Sequence, residues 1–101
     1  MNTLFNKITI IIILYEEKEQ LVLKCLENFK NFKIIIVDNS NNLALKKQVE
    51  KNYKIFKYVL NEKNYGYSKA ANQAIKLSDT EFILMFQADG IIDQKDIFKL
   101  F

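Results

Sequence analysis

Four apolar runs, separated by stretches of helical periodicity, constrain this chain more than any single motif does. The first, ITIIIIL from Ile8 to Leu14, is almost entirely β-branched. A strand with one wet face alternates apolar and polar residues, so a continuous run marks a strand covered on both sides. KIIIVD repeats that signature and stops at Asp38, Asn39 and Ser40, which are turn and cap residues. IFKYVLN and EFILMF supply the third and fourth strands. Between the first two, Leu21, Val22, Cys25, Leu26 and Phe29 form a helical stripe, with Glu16 and Glu17 set at the helix's positive end. A second helix runs from about Leu43 to Asn52 with Leu45 and Val49 inward. Tyr67, Ala70, Ala71, Ala74 and Ile75 make a third, whose small-residue face can lie close on a sheet, and DQKDIFKLF opens a fourth, capped by Asp93. This order predicts an α/β fold: an open, mainly parallel sheet with helices on both faces. With no proline and no low-complexity linker, residues 1–101 read as a single domain.

Composition removes several chemistries. There is no histidine, which excludes Ser-His and Cys-His nucleophile systems and most zinc sites. Cys25 is the only cysteine, so no internal disulfide forms, and its place in the helical stripe makes it a reduced core thiol. Lys46, Lys47, Lys51, Lys54 and Lys57 are the densest basic stretch, but the chain lacks arginine for bidentate phosphate contacts. They read as a solvated face, and no nucleic-acid partner is expected. The run from Ile8 to Leu14 is too short to span a bilayer and lacks a signal-peptide cleavage pattern. The expected address is cytoplasmic, with the inner face of a membrane as the second choice.

In open α/β sheets, ligands bind beyond the carboxyl ends of the strands. Those ends carry Tyr15 and Glu16, then Asp38, Asn39 and Ser40, then Asn61, Asn64 and Gly66, then Gln87, Asp89 and Gly90. The rim is rich in carboxylates and amides, and Lys63 is its one basic residue. The first strand–helix turn has no glycines for a dinucleotide fingerprint, and no GxxxxGK[ST] loop occurs. A phospho-receiver domain would need an aspartate ending the third strand, where Leu60 and Asn61 stand.

The ordered set ITIIIILY, IIIVDNSNN, NYGYSKAAN and FILMFQADG resembles the nucleotide-sugar-binding half of the GT-A glycosyltransferases, specifically the inverting family 2. The resemblance covers roughly residues 7–93 by motif order. It implies transfer of a hexosyl or deoxyhexosyl group from a nucleotide-diphosphate sugar to an acceptor hydroxyl, on a glycan or a lipid-linked sugar. It implies nucleotide contacts at Tyr15, Asp38, Asn64, Gly66, Asn72 and Gln87. Asp38 can accept from a base N–H or ribose hydroxyls, or it can cap the DNSNN loop; Ser40 and Asn42 fit the capping role better. Gly66 permits a sharp turn into a helix close to a ligand, and it equally suits a plain Asn-Gly turn.

FQADG corresponds to the family's DxD motif, with Asp89 as its last aspartate and Gln87 where the first often stands. The resemblance makes Asp89 a ligand for a divalent cation, and an all-oxygen donor set suits Mg²⁺ or Mn²⁺. Asp89 before Gly90 also has the form of a turn aspartate. The implied reaction is displacement at the anomeric carbon, with the base and acceptor surface in the half after the DxD strand. None of the residues present is expected to be that base. The expectation is therefore a donor-binding portion, incomplete as an enzyme and prone to self-association through an uncovered sheet. The alternative is a non-catalytic α/β module that binds a nucleotide or a partner chain with the same rim.

Overall fold

The computed structural model describes residues 3–88; Asp89, Gly90 and the helix expected around Asp93 lie outside them. After a short 3₁₀ turn (Thr3–Asn6), the order is β1 (Ile8–Leu14), α1 (Glu19–Glu27), β2 (Lys33–Asp38), α2 (Leu43–Asn52), β3 (Lys57–Leu60), α3 (Tyr67–Leu77) and β4 (Phe82–Phe86). The strands form one sheet in the order β3-β2-β1-β4, parallel throughout. The register places Leu14 opposite Asp38 and Asp38 opposite Leu60, so three strand ends finish level and their following loops meet.

The β-branched runs form the central strands because both faces are covered. Ile10, Ile12, Leu14 and Ile36 meet Val22 and Leu26 of α1 and Leu45 and Val49 of α2 on one face. Ile11, Ile35 and Val37 meet Ala70 and Ala74 of α3 on the other. Side chains alternate across a strand, so neighbouring isoleucines serve opposite cores. Alanine on α3 removes the side-chain thickness that normally holds a helix off a sheet. Cys25 is buried in the core, as its position in the helical stripe predicts.

Four local expectations are corrected. α1 starts at Glu19, with Lys18 as its N-cap. Glu16 and Glu17 therefore sit in the preceding loop, where Glu16 takes a left-handed φ of 54°. Leu21 is 38% exposed, because Val22, Cys25, Leu26 and Phe29 already fill the arc that faces the sheet. On α3 the buried face is confined to its alanines, and Tyr67 and Ile75 point outward, 54% and 43% exposed. β3 and β4 are also shorter than their apolar runs, since Ile55, Phe56, Asn61 and Glu81 lie outside the strands. No helix among the described residues is long and apolar enough to cross a membrane.

Candidate functional site

Asp38 closes β2 and is fully buried. Its Oδ1 accepts from the Ser40 amide at 2.8 Å and the Ser40 hydroxyl at 2.6 Å. Its Oδ2 accepts from the Asn42 amide and the Tyr58 hydroxyl, both at 3.2 Å. Burial and then the adjacent Asp38 carboxylate push the Tyr58 hydroxyl far above the ordinary tyrosine range, so it stays a donor. The loop is finished by Asn41, at a left-handed φ of 51° that asparagine tolerates, and by Asn42, whose Oδ1 caps α2 on the Leu45 amide at 3.0 Å. The Glu16 amide donates to the Ser40 hydroxyl at 3.1 Å, which ties the loop after β1 to the loop after β2.

A chain of amides lies beside this loop. The Asn39 backbone N–H donates to Leu14 O at 2.8 Å, holding Asn39 across the end of β1. Its side-chain Nδ2 donates to Gly66 O at 3.3 Å, and its Oδ1 accepts from Asn61 Nδ2 at 2.8 Å. Asn61 also pairs reciprocally with Gln73 of α3, donating to its Oε1 at 2.8 Å and accepting from its Nε2 at 2.9 Å. Asn39 and Asn61 are 3% and 4% exposed, so each bond replaces water that the site excludes.

Gly66 is the N-cap of α3, at φ 88° and ψ 166°, a region other residues essentially never occupy. A Cβ there would meet nothing within 4 Å, so backbone conformation, and no lack of space, requires the glycine. Asn64 fixes the turn by accepting the Gly66 N–H at 2.8 Å.

These loops border a cleft of about 310 Å³ lined by Ile13, Leu14, Tyr15, Glu17, Asn39, Asn64, Gly66, Tyr67 and Gln87. It lies outside the carboxyl ends of β1 and β4. The strand order reverses at that point, because β2 and β3 extend from one side of β1 and β4 from the other. None of the described residues that line the cleft is basic.

A sequence profile for Glycosyl transferase family 2 matches residues 9–101. The chain belongs to this family. Among curated proteins, none matches it. Two solved structures from S. aureus are similar: TarS, at 23% identity and a TM-score of 0.68 over 92% of this chain, and TarS 1-349, at 23% and 0.71 over 93%. At that identity the likeness shows the shared α/β fold. This chain spans 19% of the first protein and 31% of the second.

Within this family 2 domain, Tyr15, Asn64, Gly66 and Gln87 come together around the cleft. Asp38 stands behind it, since a fully buried carboxylate with four donors offers no surface unless the Ser40–Asn42 loop moves. Asn72 is exposed on α3 and is not a lining residue. Asp89 lies outside the described residues, immediately after buried Ala88. Glu17, Asn39 and Tyr67 line the cleft without having been singled out for it. The sequence places Asn39 at a strand end, Glu17 at the positive end of a helix and Tyr67 on a helix face, so only Asn39 carries a signal for the cleft. Among the described residues no cluster of three acidic, cysteine or histidine side chains could hold a metal.

A larger cleft of about 490 Å³ opens at the amino end of the sheet, lined by Phe5, Phe32, Phe56 and three lysines among others. Its Lys33 is engaged by Asp79 at 2.8 Å and lies 4.4 Å from the Phe56 ring centre. Volume favours this cleft, but the loops that follow the strands favour the smaller one, and in parallel α/β sheets ligands follow the loops.

Proposed function

We propose that the 310 Å³ cleft takes the nucleotide of a nucleotide-diphosphate sugar, and that the chain is the donor-binding portion of an enzyme that glycosylates an acceptor hydroxyl. The observation that carries this reading is the position of the cleft at the reversal of strand order, in a chain that belongs to glycosyl transferase family 2. Tyr15 and Tyr67 offer exposed aromatic faces on which a base or sugar can stack. Asn64 and Gln87 offer amides that both donate and accept. Asp38 acts by holding the Ser40–Asn42 loop in shape.

Because none of the described residues that line the cleft is basic, a diphosphate there needs its charge met in another way. The free N–H groups at the start of α3 meet part of it. Asp89, with Gln87 as a neutral oxygen, would hold a hard cation such as Mg²⁺ or Mn²⁺. When bound, the cation supplies positive charge to the departing nucleotide diphosphate. The chain's own part is to hold the leaving group and exclude water around it, while the acceptor glycan or lipid-linked sugar is met elsewhere in the enzyme.

Calorimetric titration with UDP, GDP and dTDP, with and without Mn²⁺, tests this. One nucleotide should bind saturably and more tightly with Mn²⁺. Failure of all three to bind under either condition overturns the reading.

A further inference from the structure

α3 supplies Gly66 and Tyr67 to the cleft, yet it rests on the sheet through Ala70 and Ala74. Alanines allow close approach but provide no large knob to fix the helix's position along its own axis. The polar link between α3 and the strand ends is the reciprocal Asn61–Gln73 pair. Asn61 uses both Nδ2 hydrogens, on Asn39 Oδ1 and Gln73 Oε1, while its Oδ1 takes Gln73 Nε2. Reversing any one of these amides would set donor against donor, so the chain has one orientation throughout. Its far end is the Asn39 bond to Gly66 O. The bracket therefore closes on the residue that begins α3 and forms the cleft wall.

We infer that Asn61 and Gln73 are positioning residues for the cleft: touching no ligand themselves, they set the axial position of α3 and hold the Gly66 turn through Asn39. The inference rests on the nucleotide reading of the cleft. It assigns to two residues outside the lining a share of the affinity for a nucleoside diphosphate. Since every member is a neutral amide, the bracket acts identically across the working pH range.

The test is a double-mutant cycle of Asn61→Ala and Gln73→Ala, read by calorimetry with Mn²⁺ and whichever of UDP, GDP or dTDP the wild type binds. Each single variant should bind about fivefold more weakly, and the double variant no more weakly than the worse single, since either change opens the same bracket. A pair that only stabilised the fold would lower the melting temperature and leave the affinity of the folded protein unchanged, which overturns the inference; so do losses that multiply. Gln73→Met keeps the side-chain length at a partly exposed helical position, and it decides the matter alone should Asn61→Ala not fold. Hydrogen exchange separates this claim from the nucleotide reading. Without ligand, amides at residues 70–74, the first that bond within α3, should lose protection in Gln73→Met, and unchanged protection overturns the bracket whatever the wild type binds.

Discussion

The Tyr58 hydroxyl donates to Asp38 Oδ2 at 3.2 Å, joining β3 to the end of β2 where neither group meets appreciable solvent. The carboxylate that ends the second strand is thus a keystone of its own loop, with four donors converging on it. Tyr58→Phe removes one donor and leaves the shape intact. It should destabilise the protein by roughly 1.5–3 kcal/mol in urea unfolding, because a bond to a buried carboxylate exceeds an ordinary one. Asp38→Ala should cost more, since it leaves several buried donors unpaired.

The same bond sets an alkaline limit. Burial raises Tyr58 beyond the usual range, and burial followed by the bond to Glu27 raises Tyr53 to about 12. Unfolded tyrosine releases its proton near pH ~10, so above that pH the unfolded state binds fewer protons than the folded one. Stability from these groups is fully present below pH ~10 and declines as pH rises toward the folded values. Urea midpoints measured from pH 8 to 11 should fall at the alkaline end, and fall less steeply in Tyr58→Phe. An equal slope in the two proteins would contradict the assignment.

Gly66→Ala should cost about 1–3 kcal/mol by chemical unfolding, although its methyl meets nothing within 4 Å. The cost comes from a backbone at φ 88° that alanine resists. A change below 0.5 kcal/mol would show that the turn relaxes without penalty.

Tyr15 is 49% exposed and lines the cleft, so Tyr15→Ala should leave stability within about 0.5 kcal/mol of wild type. Loss of a stacking face should weaken nucleotide binding by roughly 1–3 kcal/mol. Unaltered affinity would remove Tyr15 from the site.

Much of this architecture is legible in the sequence because the central strands are buried on both faces and therefore unbroken in hydropathy. β1 and α2 fall on the residues that pattern alone assigns, Ile8–Leu14 and Leu43–Asn52. Helix edges are less legible. Leu21 and Ile75 are apolar residues on outward arcs, and nothing local distinguishes them from Val22 or Ala74. The cleft was half legible. Position after a strand brought forward Tyr15, Asn64, Gly66 and Gln87, but the inward turn of Asp38 depends on Tyr58, twenty residues away on another strand. The Asn39–Asn61–Gln73 chain was invisible for the same reason, since each amide alone looks like a turn or surface residue.

The central claim is that a nucleoside diphosphate enters this cleft together with a cation held at Asp89. The most direct measurement is calorimetric titration of wild type and Asp89→Asn with UDP, GDP and dTDP, each with and without Mn²⁺. Asp89→Asn deletes one charge while keeping shape and turn propensity. Wild type should bind Mn²⁺ weakly alone and one nucleotide markedly more tightly in its presence, since a single carboxylate leaves the metal dependent on phosphate oxygens. The variant should fold normally and lose the Mn²⁺-dependent part of the affinity. Mn²⁺ dependence that survives intact in Asp89→Asn would contradict the account.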